Sequence, residues 1–206
     1  MPRVLVAIAL VSFVPAMIYL VIIRNSERYG REKWRTVLGA FFWGILAALM
    51  SVFLELFADF LVPLSLGMTA LVVAPVVEEV TKPLIFFGTK EREAEDSIIK
   101  CASSGIGFAC LENFLYFSGA EASLLPLIVF IRTLDGFMMH SATSGFTGAG
   151  IARGSPGPYL ILAMMMHSLS NFLVSFGILG ITASILFSMA IFGAIRALII
   201  RYDKMI

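Results

Sequence analysis

Apolar residues run through this chain in long blocks separated by short polar interruptions. The block from Val4 to Ile23 carries no charge and is long enough to cross a hydrocarbon core of about 30 Å as a helix. It is too long for a signal-peptide core and has no clear small-x-small cleavage site, so it reads as a first span. Six further blocks, at about 37–62, 64–87, 98–117, 124–151, 159–176 and 178–200, predict further spans. Arg153-Gly154-Ser155-Pro156-Gly157-Pro158 reads as a turn between two of them. The expectation is an all-α polytopic membrane protein of about seven transmembrane helices, one transmembrane domain over residues 1–206. No internal repeat or linker interrupts it.

Composition agrees with the pattern. Of the 206 residues 59% are hydrophobic and 14% charged, with a mean hydropathy of +0.95. A soluble domain has about half apolar and about a quarter charged residues. The expected surroundings are therefore a lipid bilayer, with no nucleic-acid partner. Cys101 and Cys110 both fall in the fourth predicted span and suggest no disulfide framework.

The net charge of +1 carries less information than where the charges lie. Arg24, Arg28, Arg31, Lys33 and Arg35 follow the first span; Lys90, Arg92 and Lys100 follow the third; Arg153 follows the fifth; Arg196, Arg201 and Lys204 end the chain. The alternate loops, around 63–66, 118–123 and 177–180, have no Lys or Arg, and only Arg3 dissents. The positive-inside rule then predicts an outside N-terminus and a cytoplasmic C-terminus in a cell membrane.

Against this background one stretch is anomalous. Ala74-Pro75-Val76-Val77-Glu78-Glu79-Val80-Thr81-Lys82-Pro83 places two carboxylates and an ammonium inside an apolar block. Each ionisable group at bilayer depth costs several kcal/mol unless it is paired or faces a polar cavity. At 1.5 Å per residue, Glu78, His140 and His167 come out roughly 13–16 Å from the cytoplasmic ends of their helices, and Glu112 roughly 20 Å. Four spans thus bring polar groups to one level near the midplane. The bland alternatives are a Glu78–Lys82 ion pair at i,i+4 and histidines that only bridge helices. Arg132 and Asp135, at i,i+3, read as a structural pair, and Glu55 and Asp59 as interfacial or lumen-facing residues without chemistry. Gly145, Gly148 and Gly150 suit close helix packing.

Carboxylates and histidines around a sheltered cavity suit water activation, with the carboxylate as base and a second polar group holding the oxyanion. The chain has no His-Glu-x-x-His and no Gly-x-Gly-Asp, and Ala102-Ser103-Ser104-Gly105 lacks the first glycine of a membrane serine-protease motif. Midplane acids and histidines also mark ion- or proton-coupled transporters, the second class considered. The absence of related halves speaks against that class.

Four motifs then point to a family. Glu78-Glu79-Val80-Thr81-Lys82 fits Glu-Glu-x-x-Lys, and Phe108-Ala109-Cys110-Leu111-Glu112-Asn113 fits Phe-x-x-x-Glu-Asn. His140 heads a Ser/Thr/Gly-rich stretch, and His167-Ser168-Leu169-Ser170-Asn171 fits His-x-x-x-Asn. Together they resemble the PrsW family of intramembrane proteases, within the wider CAAX prenyl-protease/bacteriocin-processing (ABI) superfamily. The CAAX branch has Glu-Glu-x-x-x-Arg and Phe-x-x-x-His; this chain has Lys82 and Glu112 instead. The resemblance implies an endopeptidase acting on a membrane-associated protein, with Glu78 as general base and Glu79 orienting it or sharing its proton. It implies that Lys82 pairs with a glutamate and that His167 and Asn171 polarise the scissile carbonyl. Glu112 and His140 would position the water or, with His167, bind a divalent metal such as zinc. Whether a metal takes part, and which of Glu78 and Glu79 meets the water, stay open at this point.

Overall fold

The computed structural model describes residues 2–29, 31–63, 65–87 and 94–203; Lys90, Arg92 and Lys204 of the predicted basic loops lie outside them. Its long helices are α1 (Pro2–Arg24), α2 (Trp34–Leu61), α5 (Ala94–Gly119), α6 (Leu125–Ala152), α7 (Pro156–Val174) and α8 (Gly177–Asp203). Between α2 and α5 the chain forms α3 (Leu66–Met68), a π turn (Thr69–Val73), α4 (Ala74–Thr81) and a 3-10 turn (Leu84–Phe86). No strand occurs among the described residues. Helices α1, α2, α5, α7 and α8 are long and apolar enough to cross a membrane. Helix α6 has the length but not the apolar composition, since it carries Arg132, Asp135, His140 and a run of Ser, Thr and Gly.

The expected span 64–87 differs most from what is found. It is a broken helix that stops at Thr81, because Lys82 is its cap and Pro83 has no N–H to continue the ladder. Its upstream part widens for a related reason. The Ala74 N–H reaches back to the Thr69 carbonyl, an i to i−5 bond. The next bond of that kind would run from residue 75 to Ala70, and Pro75 cannot donate it. The Asn171 side-chain amide donates to the Ala70 carbonyl instead, at 2.8 Å.

Helices α5 and α6 form the centre, buried on most faces. Leu20 and Ile23 of α1, Val37 and Phe41 of α2, and Ile195 and Ile199 of α8 pack around them in one apolar core. The close approach rests on glycine. A Cβ on Gly107 would collide with the Phe41 carbonyl of α2, and one on Gly105 with the His140 carbonyl of α6. Glycine here lets backbones touch, as small residues do between helices in lipid.

At the end that carries the basic loops, Glu27, Glu95 and Asp203 are buried and their carboxylate oxygens lie within 4.8 Å of one another. Asp203 accepts the backbone N–H groups of Arg28 and Tyr29, and Glu27 that of Glu32. Burial pushes the Glu27 carboxyl up from 4.5 to about 7, against the pull of the Glu32 N–H. Asp96, Asp203 and Glu95 add to the push.

Two outcomes are expected. Gly107→Ala should lower the thermal stability of the detergent-solubilised protein by roughly 1–3 kcal/mol, the usual cost of overpacking. Gly119→Ala, where a Cβ meets nothing within 4 Å, should not lower it. Because Glu27 holds its proton more tightly folded than unfolded, its contribution is full below pH 4.5 and lost as pH rises through about 7. Melting temperatures measured across that window should fall with pH in the wild type and fall less steeply in Glu27→Gln.

Candidate active site

Helices α4, α5, α6 and α7 each bring polar side chains to one buried cluster. Pro83 ends α4 just below it, so Lys82 caps the helix while its ammonium turns inward. That ammonium is wholly buried, 2.7 Å from Glu79 Oε1, 2.7 Å from His140 Nδ1 and 3.5 Å from Glu78 Oε2. It also sits 4.4 Å above the Phe108 ring, a favourable place for a cation. Glu79 is buried with it, and its Oε1 also meets His167 Nδ1 at 2.9 Å and accepts from Thr143 Oγ1 at 3.1 Å.

Glu78 is placed differently from its neighbour. The two carboxylates leave the helix about 100° apart. Glu78, not Glu79, lines a cavity of about 690 Å³ framed by α2, α3, the π turn and α4 to α8. Its Oε2 has no hydrogen-bond partner. His140 Nδ1 lies 3.8 Å from that oxygen and His167 Nε2 3.9 Å.

The histidine tautomers follow from their partners. An ammonium only donates, so His140 Nδ1 accepts from Lys82 and its Nε2 carries the hydrogen, 2.7 Å from Glu112 Oε2. A carboxylate only accepts, so His167 donates from Nδ1 to Glu79 and presents the Nε2 lone pair toward Glu78. Glu112 is held in turn by Arg132 at 2.6 Å, whose Nε donates to Asn113 Oδ1 and whose guanidinium lies over the Tyr116 ring.

Of the residues singled out from sequence, Glu78, Glu79, Lys82, Glu112, His140 and His167 come together. Asn171 lines the same cavity, but its amide is engaged by Ala70, one turn along α7 from His167. Arg132 and Asp135 are not the pair that their spacing suggests. Arg132 reaches across to Glu112, while Asp135 accepts from Ser184 and Ser188 of α8, because the two side chains leave α6 toward different neighbours. Thr143, one turn beyond His140, is the contact that sequence reasoning missed; its only signal was that spacing.

The group that could hold a metal is also not quite the expected one. The donor atoms of Glu78, His140 and His167 lie within 4.8 Å of one another, all buried. Glu112 stands behind His140, in the position of an outer carboxylate that orients a ligand imidazole. One carboxylate and two imidazoles suit a divalent ion with a position left for water, and a Glu78 Oε2 that makes no hydrogen bond fits that reading. Lys82 is the competing cation at the His140 Nδ1 lone pair.

The family model for PrsW family intramembrane metalloproteases matches residues 32–197. The chain belongs to the PrsW family. Neither a curated protein nor a solved structure matches it. As a PrsW family member the chain is an intramembrane protease and a multi-pass membrane protein acting on a protein substrate, and nothing supports the transporter reading.

Removing Lys82 alone should leave the Glu79 carboxylate buried without its cation. Lys82→Met should cost about 3–5 kcal/mol in thermal or denaturant unfolding, as broken buried pairs do. The double variant Lys82→Met with Glu79→Gln should recover part of that loss.

Proposed function

We propose that Glu78 is the general base of this protease. The reading is carried by one contrast: Glu78 lines the cavity, while Glu79 does not and has its Oε1 taken by Lys82, His167 and Thr143. A water held between Glu78 and the carbonyl of a membrane-associated protein gives its proton to Glu78 as its oxygen attacks the carbonyl carbon. The carbon–nitrogen bond then breaks, and the proton held by Glu78 passes to the leaving amine. Glu79 fixes His167, and Glu112, anchored by Arg132, fixes His140, so both rings border the reacting water in set orientations. Apolar walls keep bulk water scarce around the bond, which strengthens each of these interactions.

One carboxylate oxygen of Glu78, with His140 and His167, would hold the metal that the family description names, in place of the Glu112, His140 and His167 set, and the other Glu78 oxygen would take the proton of the water. Bound there, a zinc-like ion supplies Lewis acidity and makes its water more acidic. About seven spans, an outside N-terminus and a cytoplasmic C-terminus remain the reading that charge placement supports. The motif pattern likewise supports kinship with the wider ABI superfamily.

The test combines cleavage and metal content. Purified protein in lipid nanodiscs should cut transmembrane peptides from a mixed library, detected by mass spectrometry. Glu78→Gln should reduce the rate by roughly 100-fold or more, the range of lost general-base catalysis. Elemental analysis should find close to one zinc per wild-type chain and less in His167→Ala. Undiminished cleavage by Glu78→Gln would overturn the assignment of the base.

A further inference from the structure

Glu55 is a charged residue of α2 to which the reaction above gives no task. It lines the cavity that Glu78 opens into, and it is only half exposed. The residues flanking it, Val52, Phe53, Leu54, Leu56 and Phe57, are exposed apolar side chains on a helix built to cross a membrane. A carboxylate in that setting requires a partner or a polar cavity. The other acids of the cavity have partners. Glu112 has Arg132 and His140, Asp135 has Ser184 and Ser188, and Glu78 has Lys82. Among the described residues no hydrogen bond or ion pair reaches Glu55.

Its height in the bundle can be fixed. Ser51 Oγ and Thr81 Oγ1 share a hydrogen bond of 2.7 Å, which pins α2 against α4 at that level. From Ser51 to Glu55 the helix climbs about 6 Å away from the basic loops, and from Thr81 back to Glu78 it climbs about 4.5 Å the same way. Glu55 and Glu78 therefore stand at nearly one level on neighbouring helices, whose axes are separated by about 8–10 Å. An extended peptide advances about 3.3 Å per residue, so a group opposite Glu55 falls within about three residues of a bond held at Glu78.

The cations nearest the cavity are already taken. By sequence position every Lys and Arg except Arg3, Lys82 and Arg132 falls in, or within two helical turns of, the basic loops. Lys82 and Arg132 are already engaged by Glu78, Glu79 and Glu112. Asp59, four residues beyond Glu55 on the same face of α2, and Glu121 in the loop after α5 continue the acidic character toward the far end.

We propose that Glu55 is a specificity residue that receives a cationic side chain, a lysine or arginine, within about three residues of the cleaved bond. The proposal rests on the protease reading and names the substrates that it acts on: membrane-spanning segments with a basic residue beside the cleavage point. The cation supplies the partner that Glu55 lacks, and Glu55 supplies a place for a charge that lipid would otherwise reject.

Full-length protein in nanodiscs is given a set of Leu/Ala transmembrane peptides that differ at one position. That position carries Lys, norleucine or Glu and is moved along the segment. For wild type the Lys peptide should show kcat/KM roughly tenfold above norleucine at one or two positions, the scale of a charge-assisted hydrogen bond, with Glu lowest. Glu55→Gln should bring the Lys to norleucine ratio close to one, and Glu55→Lys should reverse the order of Lys and Glu. Fluorescence anisotropy of the same labelled peptides on Glu78→Gln protein gives the preference without cleavage. Peptides that bind with the Glu55-dependent order but are never cut would sink the protease reading and leave standing only the binding of a cation at Glu55. A Lys preference that survives Glu55→Gln, or no preference in either readout, overturns the proposal.

Discussion

The buried ammonium of Lys82 is the constraint that the rest of the structure answers. An ion of that kind costs several kcal/mol to remove from water, and the cost is met only with close, well-aligned partners. Glu79, His140 and the ring of Phe108 provide them, and they come from three helices. Satisfying one charge therefore dictates how α4, α5 and α6 stand against each other. Glu79 then reaches His167 and brings α7 into the same arrangement. The neighbouring Glu78 is left facing the cavity because its partner in sequence has absorbed the structural obligations.

Glycine makes that arrangement geometrically possible. His140 can stand beside Lys82 and Glu112 because Gly105 lets α5 meet the backbone of α6 at that residue, and Gly107 does the same for α2 at Phe41. A lipid environment gives helices little reason to separate or approach on grounds of apolarity alone. Close backbone packing and a shared polar centre supply the attraction in its place.

Much of this was legible in the chain. The helices follow the apolar blocks within a few residues, since lipid imposes a length that hydropathy records directly. Glu78, Glu79, Lys82, Glu112, His140 and His167 stood out because charges and imidazoles are costly at bilayer depth. Partnerships were less legible. The i,i+3 spacing of Arg132 and Asp135 suggested a local pair, yet each found a better partner on another helix. Spacing along one helix reports what two side chains can do, and only the packing of several helices reports what they prefer. The grouping of Glu78 with the two histidines has the same origin. So does the early end of the broken helix, where Pro83 outweighed an apolar run continuing to Phe87.

The wide turn before α4 has a consequence for the shape of the cavity wall. A π turn accommodates one residue more than an α turn, so the chain upstream of Ala74 is rotated by about 100° from where an unbroken α-helix would aim it. Thr69, Ala70 and Leu66 face the cavity in this rotated setting, and Asn171 finds its acceptor there. The face that the enzyme shows to an incoming peptide is thus fixed by a residue count between two helical segments. An insertion or deletion of one position there would exchange the wall's lining while leaving every side chain of the polar centre in place.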